Sequence, residues 1–245
     1  MRVLGVVPAR FQSSRFQGKP LALLGGRPMI QHVYERASES KLLNELVVAT
    51  DDQRIFDAVV AFGGRCVMTS DRHPSGTDRV AEVAAGREAD IVVNIQGDEP
   101  FLSPVTLDEL VEPFAADPDL PMSTVMRRID DEAALADPNV VKVVANRRGD
   151  ALYFSRSLIP FPRRSELHQA FEHIGLYAYR RAFLLDLARL EPTRLEQTEA
   201  LEQLRVLEHG YRIRVVETAS HLGLSVDTPA DLARAEQFLA ARSPR

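Results

Sequence analysis

The sequence predicts an α/β chain with a Rossmann-like, mostly parallel central sheet flanked by helices and a smaller inserted β-rich lobe. Three observations lead there. Over the first half, short runs that are apolar throughout alternate with amphipathic helical patterns, as expected of parallel strands covered on both faces. The middle third loses that alternation and carries a hairpin signal. The chain then returns to a strand and a capped helix. At 245 residues, 45% of them hydrophobic and 27% charged, it can bury a sizeable core.

Val3 to Val7 reads as the first buried strand. Met29 to Ser38 has helical spacing at Met29, Ile30, Val33 and Ala37. Leu46 to Ala49 is a second strand ending at Thr50-Asp51, followed by a helix from Ile55 to Phe62. Cys66 to Met68 is a short strand and Asp78 to Ala85 a helix. Ile91 to Ile95 is another buried strand and Leu107 to Phe114 another helix. Val140 to Val144 and Ala151 to Phe154 flank a turn containing Gly149, which reads as a hairpin. Residues 158–170 mix prolines and charges without a period and are expected to form a surface loop. His173 to Tyr179 is strand-like, Glu196 to Glu208 helical, and Ile213 to Val216 a strand. The last helix runs from about Pro229 to Ala241, with Thr228 as its cap, Pro229 in first position and Asp231 in third. A single domain is expected. Its nucleotide-binding part spans about 1–125 and 217–245, and its lobe about 126–216.

Composition narrows the function. The net charge of −5 argues against a nucleic-acid coat, which needs a basic excess. No apolar run approaches the roughly 18 residues needed to cross a bilayer. No charged leader precedes the first strand, so no signal peptide is expected. Cys66 is the only cysteine, which fits a reducing compartment. The six histidines show no metal-binding spacing.

One segment runs against the acidic balance. Pro8 to Pro20, PARFQSSRFQGKP, carries three cations and no acid directly after the first strand. That is where a doubly wound fold places its phosphate loop. It matches neither G-x-G-x-x-G nor the P-loop pattern. A triphosphate needs donors and positive charge, and Arg10, Arg15 and Lys19 supply both, with Ser13 and Ser14 adding hydroxyls. The plainer reading is a solvated basic loop; its place at a strand end, with Gly18 in it, favours function. Asp98 follows the Ile91 to Ile95 strand and Asp227 precedes the last helix. As strand-end residues both would face one crevice. Mg²⁺ takes hard oxygen ligands, often one or two carboxylates with phosphates and water. Alternatively, Asp98 is a turn residue in Gly97-Asp98-Glu99-Pro100, and Asp227 a helix cap, although Thr228 already fits that position.

The loop resembles the start of the CMP-KDO synthetase family of nucleotidyltransferases, whose pattern is close to P-A-R-x-x-S-x-R-x-x-G-K-P-L. Every fixed position matches. The resemblance continues in order through Ala49-Thr50-Asp51, Ser75-Gly76-Thr77-Asp78-Arg79, Gln96-Gly97-Asp98-Glu99-Pro100 and Asn139 to Val144. It extends through Ala151 to Arg156, His173 to Tyr177, Leu201 to Arg205 and Val226-Asp227-Thr228-Pro229. Gln17 stands where proline is usual, and Ser225 where glycine often precedes the Val-Asp-Thr-Pro.

The resemblance implies transfer of CMP from CTP to the acidic sugar KDO (3-deoxy-manno-octulosonate), with release of pyrophosphate. It implies Mg²⁺ held by Asp98 and Asp227, and a catalytic set of Arg10, Arg15, Lys19, Asp98 and Asp227. Pro8, Ala9, Arg10, Ser13, Ser14, Arg15, Lys19, Ser75, Gly76, Thr77 and Arg79 would hold the nucleotide. Gln96, Arg156, His173, Tyr177, Glu202 and Gln203 would line the sugar, with Arg156 placed to meet its carboxylate. On residues alone, Ser75-Gly76-Thr77 is a helix-capping segment, His173 and Tyr177 share a strand face, and Glu202 and Gln203 sit on a solvated helix face. The resemblance further implies a cytoplasmic homodimer serving lipopolysaccharide assembly, with no membrane insertion. The rivals in the same class are related cytidylyltransferases acting on sialic acid, an 8-amino analogue of KDO or methylerythritol phosphate; the 8-amino analogue stays open, because only one hydroxyl differs. A non-catalytic nucleotide-sugar sensor is the rival from another class; the intact cation loop and both aspartates weigh against it.

Overall fold

A computed structural model describes residues 1–12, 15–220 and 224–242. Ser13 and Ser14, two expected phosphate donors, lie outside the described residues. The chain forms two compact units, Met1–Asp108 with Leu222–Arg245, and Glu109–His221.

The first unit opens with β1 (Val3–Ala9), a short hairpin of β2 (Leu23–Leu24) and β3 (Arg27–Pro28), and α1 (Met29–Ser38). It continues through β4 (Glu45–Thr50), α2 (Gln53–Ala61), β5 (Cys66–Met68), α3 (Gly76–Ala85) and β6 (Ile91–Asn94). β1 pairs in parallel with β4 on one side and β6 on the other, and β4 pairs in parallel with β5. Val6, Val7, Val48, Val92 and Val93 are fully buried, the expected outcome for strands apolar on both faces. The parallel register brings the carboxyl ends of β1 and β6 to the same edge, since Val6 lies opposite Asn94. α3 begins two residues before its expected start. Ser75 caps it, its hydroxyl accepting from the Asp78 amide at 3.2 Å, so Gly76 and Thr77 form the first turn.

After β6 come α4 (Pro104–Val111) and α5 (Pro113–Ala116). The single helix expected over Leu107 to Phe114 is two, because Pro113 has no amide hydrogen to continue the ladder. The second unit adds β7 (Met122–Arg128), α6 (Glu132–Ala136), β8 (Lys142–Ala145) and β9 (Ala151–Ser155). It closes with β10 (Phe171–Arg180), α7 (Arg181–Leu187), α8 (Arg194–Glu199), α9 (Gln203–Glu208) and β11 (Ile213–Glu217). β7 lies between antiparallel β10 and parallel β11. β8 and β9 form the expected hairpin, with Gly149 at φ 81°, a left-handed conformation its missing Cβ permits. The segment 158–170 is largely exposed and includes one 3₁₀ turn at Ser165–Leu167.

The helix expected over Glu196 to Glu208 is also broken. α8 ends at Ala200, which adopts φ 51°. Its terminal carbonyls find another partner: Arg156 donates from Nε to the Glu199 carbonyl at 2.7 Å and from a terminal nitrogen to that of Ala200 at 3.3 Å. Satisfied in this way, they no longer require a further turn.

The first unit ends in α10 (Pro229–Arg242). The Thr228 hydroxyl accepts from the Asp231 amide at 3.2 Å, while Asp231 Oδ2 accepts from the Thr228 amide at 2.8 Å. This reciprocal cap leaves the Asp227 carboxylate free of any capping duty.

Candidate active site

Beyond the carboxyl ends of β1 and β6 the first unit opens a cleft, the place where such sheets bind ligands. Pro8 and Ala9 end β1 and form one wall. Gln96-Gly97-Asp98 follow β6 and form another. The backbones approach closely here, for a Cβ on Gly97 would lie 3.2 Å from the Pro8 carbonyl oxygen.

The cation loop closes over this edge. Gly18 takes φ 70° and its amide donates to the Phe11 carbonyl at 2.9 Å. Phe11 packs on Gly18, and the Arg54 guanidinium stacks on the same ring, 3.4 Å from its centre. The chain then turns through Lys19–Leu21 with Pro20 buried, aiming Lys19 inward.

Asp98 and Asp227 are 129 positions apart in sequence but joined by backbone. The amide of Val226 donates to the Asp98 carbonyl at 2.9 Å, and Val226 is fully buried with Leu24, Met29 and Ala235. The apolar core thus fixes one aspartate against the other. Lys19 Nζ donates to Asp98 Oδ2 and to Asp227 Oδ1, each at 3.0 Å. Arg15 reaches Asp227 Oδ2 at 3.1 Å. Burial of the Lys19 ammonium works to lower its pKa, but the charge of Asp98 and hydrogen bonds to both aspartates outweigh it and hold the group above the ordinary lysine value.

The two carboxylates therefore converge on one cation. Among the described residues, no group of three or more His, Cys, Asp or Glu side chains is placed to hold a metal. Two carboxylates, all hard oxygen, fit Mg²⁺ sharing its remaining positions with phosphate and water.

Of the expected nucleotide residues, Pro8, Ala9, Arg10, Arg15, Lys19, Ser75, Gly76 and Arg79 all line this cleft. Thr77 does not; it is buried in the first turn of α3. Arg79 is 4% exposed and spends its guanidinium on Asp51, at 2.9 Å, and on the Thr69 hydroxyl, so it stands as wall. His73 is a lining residue that sequence reasoning missed. Its Nε2 pairs with Glu82, and this hydrogen bond is the main cause holding the Glu82 carboxyl below its usual range. Nothing in the spacing of Arg72-His73-Pro74 signals that pairing.

The expected sugar residues divide. Gln96 lies in the cleft of the first unit, its amide 3.3 Å from Asn94 Oδ1. His173, Tyr177 and Gln203 form a polar cluster in the second unit. The Tyr177 hydroxyl donates to Gln203 Oε1 at 3.2 Å, and Gln203 Nε2 lies 3.4 Å from His173 Nδ1. Gln203 is 4% exposed, not on a solvated helix face as its spacing suggested. Glu202 is half-buried at the start of α9. Burial pushes the His173 imidazole pKa down to about 3 and, with the charge of Glu202 in support, pushes the Tyr177 phenol well up, so both stay neutral. Arg156 is the exception among the expected sugar residues. Besides the carbonyls of Glu199 and Ala200, it donates to that of Pro138 at 3.0 Å. Lys142, fully buried, donates to the carbonyls of Asp137, Val140 and Arg156 at 2.7, 2.7 and 3.0 Å. These two cations serve the backbone around the cluster.

Comparison with known proteins shows the family of the chain. A family model described as Cytidylyltransferase matches residues 4–213. The 3-deoxy-manno-octulosonate cytidylyltransferase of Geobacter metallireducens is 53% identical over 243 residues, covering 95% of each chain. That of Solibacter usitatus is 52% identical, covering 98% of this chain and 95% of its own. The solved structure of CMP:2-keto-3-deoxy-manno-octonic acid synthetase complexed with CTP superposes with a TM-score of 0.95 at 47% identity, covering 99% of this chain and 100% of that one.

Proposed function

The chain belongs to the 3-deoxy-manno-octulosonate cytidylyltransferase family, and from that premise we propose that it transfers CMP from CTP to KDO and releases pyrophosphate. The observation that carries the proposal is the convergence of Lys19, Asp98 and Asp227 at the β1–β6 edge, with Arg10 and Arg15 beside them.

In this reading the anomeric oxygen of KDO attacks the α-phosphorus of CTP. A new oxygen–phosphorus bond forms, the bond to the β-phosphate oxygen breaks, and the sugar hydroxyl gives up its proton. Arg10, Arg15 and Lys19 grip the triphosphate and stabilise charge on the departing pyrophosphate. Asp98 and Asp227 would hold Mg²⁺. When bound, that ion neutralises phosphate charge and lowers the pKa of the attacking hydroxyl. Ser75 and Gly76 offer helix-start groups to the nucleotide. His173, Tyr177, Gln203, Glu202 and Gln96 supply hydrogen-bonding groups for the sugar hydroxyls. Arg156 shapes that wall through the carbonyls it holds. The rate then rests on positioning and preorganised charge rather than on a dedicated nucleophile.

By the same family membership we infer a cytoplasmic homodimer that supplies lipopolysaccharide assembly. Among the described residues, no helix is long and apolar enough to cross a membrane.

The test is pyrophosphate release from CTP with KDO, sialic acid and the 8-amino analogue of KDO in parallel, with Mg²⁺ and with EDTA. Release with KDO and Mg²⁺ alone is expected. Asp98→Asn should lower kcat at least about 100-fold; near-normal turnover of that variant would remove the aspartate from the metal site. Release with another sugar would move the sugar assignment, and CTP binding without release from any of them would favour the sensor.

A further inference from the structure

Thr124 on β7 is buried and none of its atoms belongs to the expected site. Its hydroxyl oxygen nevertheless meets three groups of β10: His173 Nε2 at 2.9 Å, the Leu176 carbonyl at 2.8 Å and the Ile174 carbonyl at 3.2 Å. These contacts fall where the pairing of β10 with β7 slips. Ile174 lies opposite Val125, but Tyr177 lies opposite Thr124, so Gly175 and Leu176 are extra. Of the two carbonyls bonded by Thr124, that of Leu176 belongs to this bulge and that of Ile174 borders it.

The slip has a consequence for spacing. His173 pairs with Met126 and Tyr177 with Thr124, neighbours on one face of β7. Along a regular strand, residues four apart would be separated by about 13 Å. The bulge brings the two rings to 5.5 Å between centroids.

The geometry points to Thr124 as the positioning residue that fixes the tautomer of His173 and, through it, the direction of every hydrogen bond out to Tyr177. A threonine hydroxyl has one proton, and both carbonyls can only accept. Given to Nε2, that proton would leave the hydroxyl oxygen facing two carbonyl oxygens at 2.8 and 3.2 Å with no hydrogen between them, so it goes to a carbonyl, the shorter contact being Leu176. Toward His173 the same oxygen can then only accept, so Nε2 carries the hydrogen. The imidazole is neutral in its buried setting, which leaves Nδ1 as an acceptor. Gln203 must turn its NH₂ toward Nδ1 and its carbonyl toward Tyr177. Tyr177 consequently donates to Gln203. Tyr177 then has lone pairs, and Gln203 a second N–H, outside this chain of bonds. Reversing the tautomer would reverse the chain and offer a different donor and acceptor pattern.

The functional half of this inference rests on the proposed role of His173, Tyr177 and Gln203 in holding the sugar; the tautomer half does not. The experiment separates them. ¹⁵N chemical shifts of labelled imidazole, with His173 assigned by its loss in His173→Gln, report the tautomer without substrate. Wild type and Thr124→Ser should show the neutral Nε2–H form, and Thr124→Val should lose it or mix it with the other form. KM for KDO should rise about tenfold in Thr124→Val, return toward wild type in Thr124→Ser, and KM for CTP should stay within about twofold. An Nδ1–H form in wild type, or an unchanged tautomer in Thr124→Val, overturns the proposal, and the wild-type spectrum alone decides the first point even if a variant misfolds. A changed tautomer with unchanged KM for KDO would uphold the positioning role and refute the sugar assignment on which its function rests.

Discussion

Replacing Lys19 with methionine keeps an unbranched side chain, one atom shorter, and removes the charge between Asp98 and Asp227. Each carboxylate oxygen is 3.0 Å from the ammonium. At an effective dielectric near 20, one such pair attracts by about 5 kcal/mol before desolvation. The two oxygens share one nitrogen and so lie no more than about 6 Å apart; without it they repel by about 3 kcal/mol on the same scale. Desolvation offsets much of the attraction, and the three side chains are 17–31% exposed, so the net loss is expected near 2 kcal/mol. For a chain of this size that lowers Tm by about 4–8 °C. The assay is thermal unfolding of wild type and Lys19→Met in EDTA and in excess Mg²⁺. The deficit should be full in EDTA and mostly recovered in Mg²⁺, because a divalent ion then occupies the carboxylates without displacing an ammonium. In EDTA it should be constant across neutral pH. The Lys19 pKa is raised, so its stabilisation is whole below the ordinary lysine value and fades only as pH climbs through the raised one, above about 10.5. The kcat/KM for CTP should fall about 100-fold in the same variant. Equal Tm values in EDTA, or an equal Mg²⁺ shift in both proteins, would refute the account of a cation site shared by lysine and metal.

Three further outcomes concern other charged or titratable groups. Arg15 is 65% exposed at its salt bridge to Asp227; Arg15→Ala should cost less than about 0.5 kcal/mol in urea unfolding yet raise KM for CTP about tenfold. Lys142→Met leaves three half-buried carbonyls without their shared donor, and should cost about 2 kcal/mol, seen as a lower urea midpoint with an unchanged m-value. His173 has its pKa depressed to about 3 by burial, so the unfolded chain binds a proton there that the folded chain does not. Wild-type stability should therefore fall more steeply than that of His173→Gln as pH drops from about 6.5 toward 3, by up to about 1.4 kcal/mol per unit, in urea titrations at stepped pH.

The nucleotide side of the site was legible because its signals are local. A strand apolar on both faces, a run of three cations with no acid, and a glycine before Lys19 sit within the first 21 residues. Asp98 was legible as a carboxylate just past a strand; Asp227, expected at another strand end, stands instead just before α10, ten positions after β11, and Thr228 could be recognised as the cap that leaves it free. The errors lay at breaks that depend on distant partners. α8 stops at Ala200 because Arg156, far away in sequence, takes its last carbonyls. His73 joins the cleft through Glu82, a residue on the next helix.

The sugar side shows why residue parity is not enough. A period of two correctly places His173 and Tyr177 on one strand face, but it predicts them too far apart to act together. Their proximity comes from two extra residues in β10, and those are stabilised by a hydroxyl on β7 that no local pattern marks. Gln203 enters the same cluster only because the expected helix breaks at Ala200 and α9 begins again with that side chain buried. Phosphate binding needs charge at a strand end, and a short sequence can carry it. Reading a sugar's hydroxyls needs donors and acceptors in a fixed order, and here that order is set by one threonine that gives its proton to a carbonyl and accepts from His173.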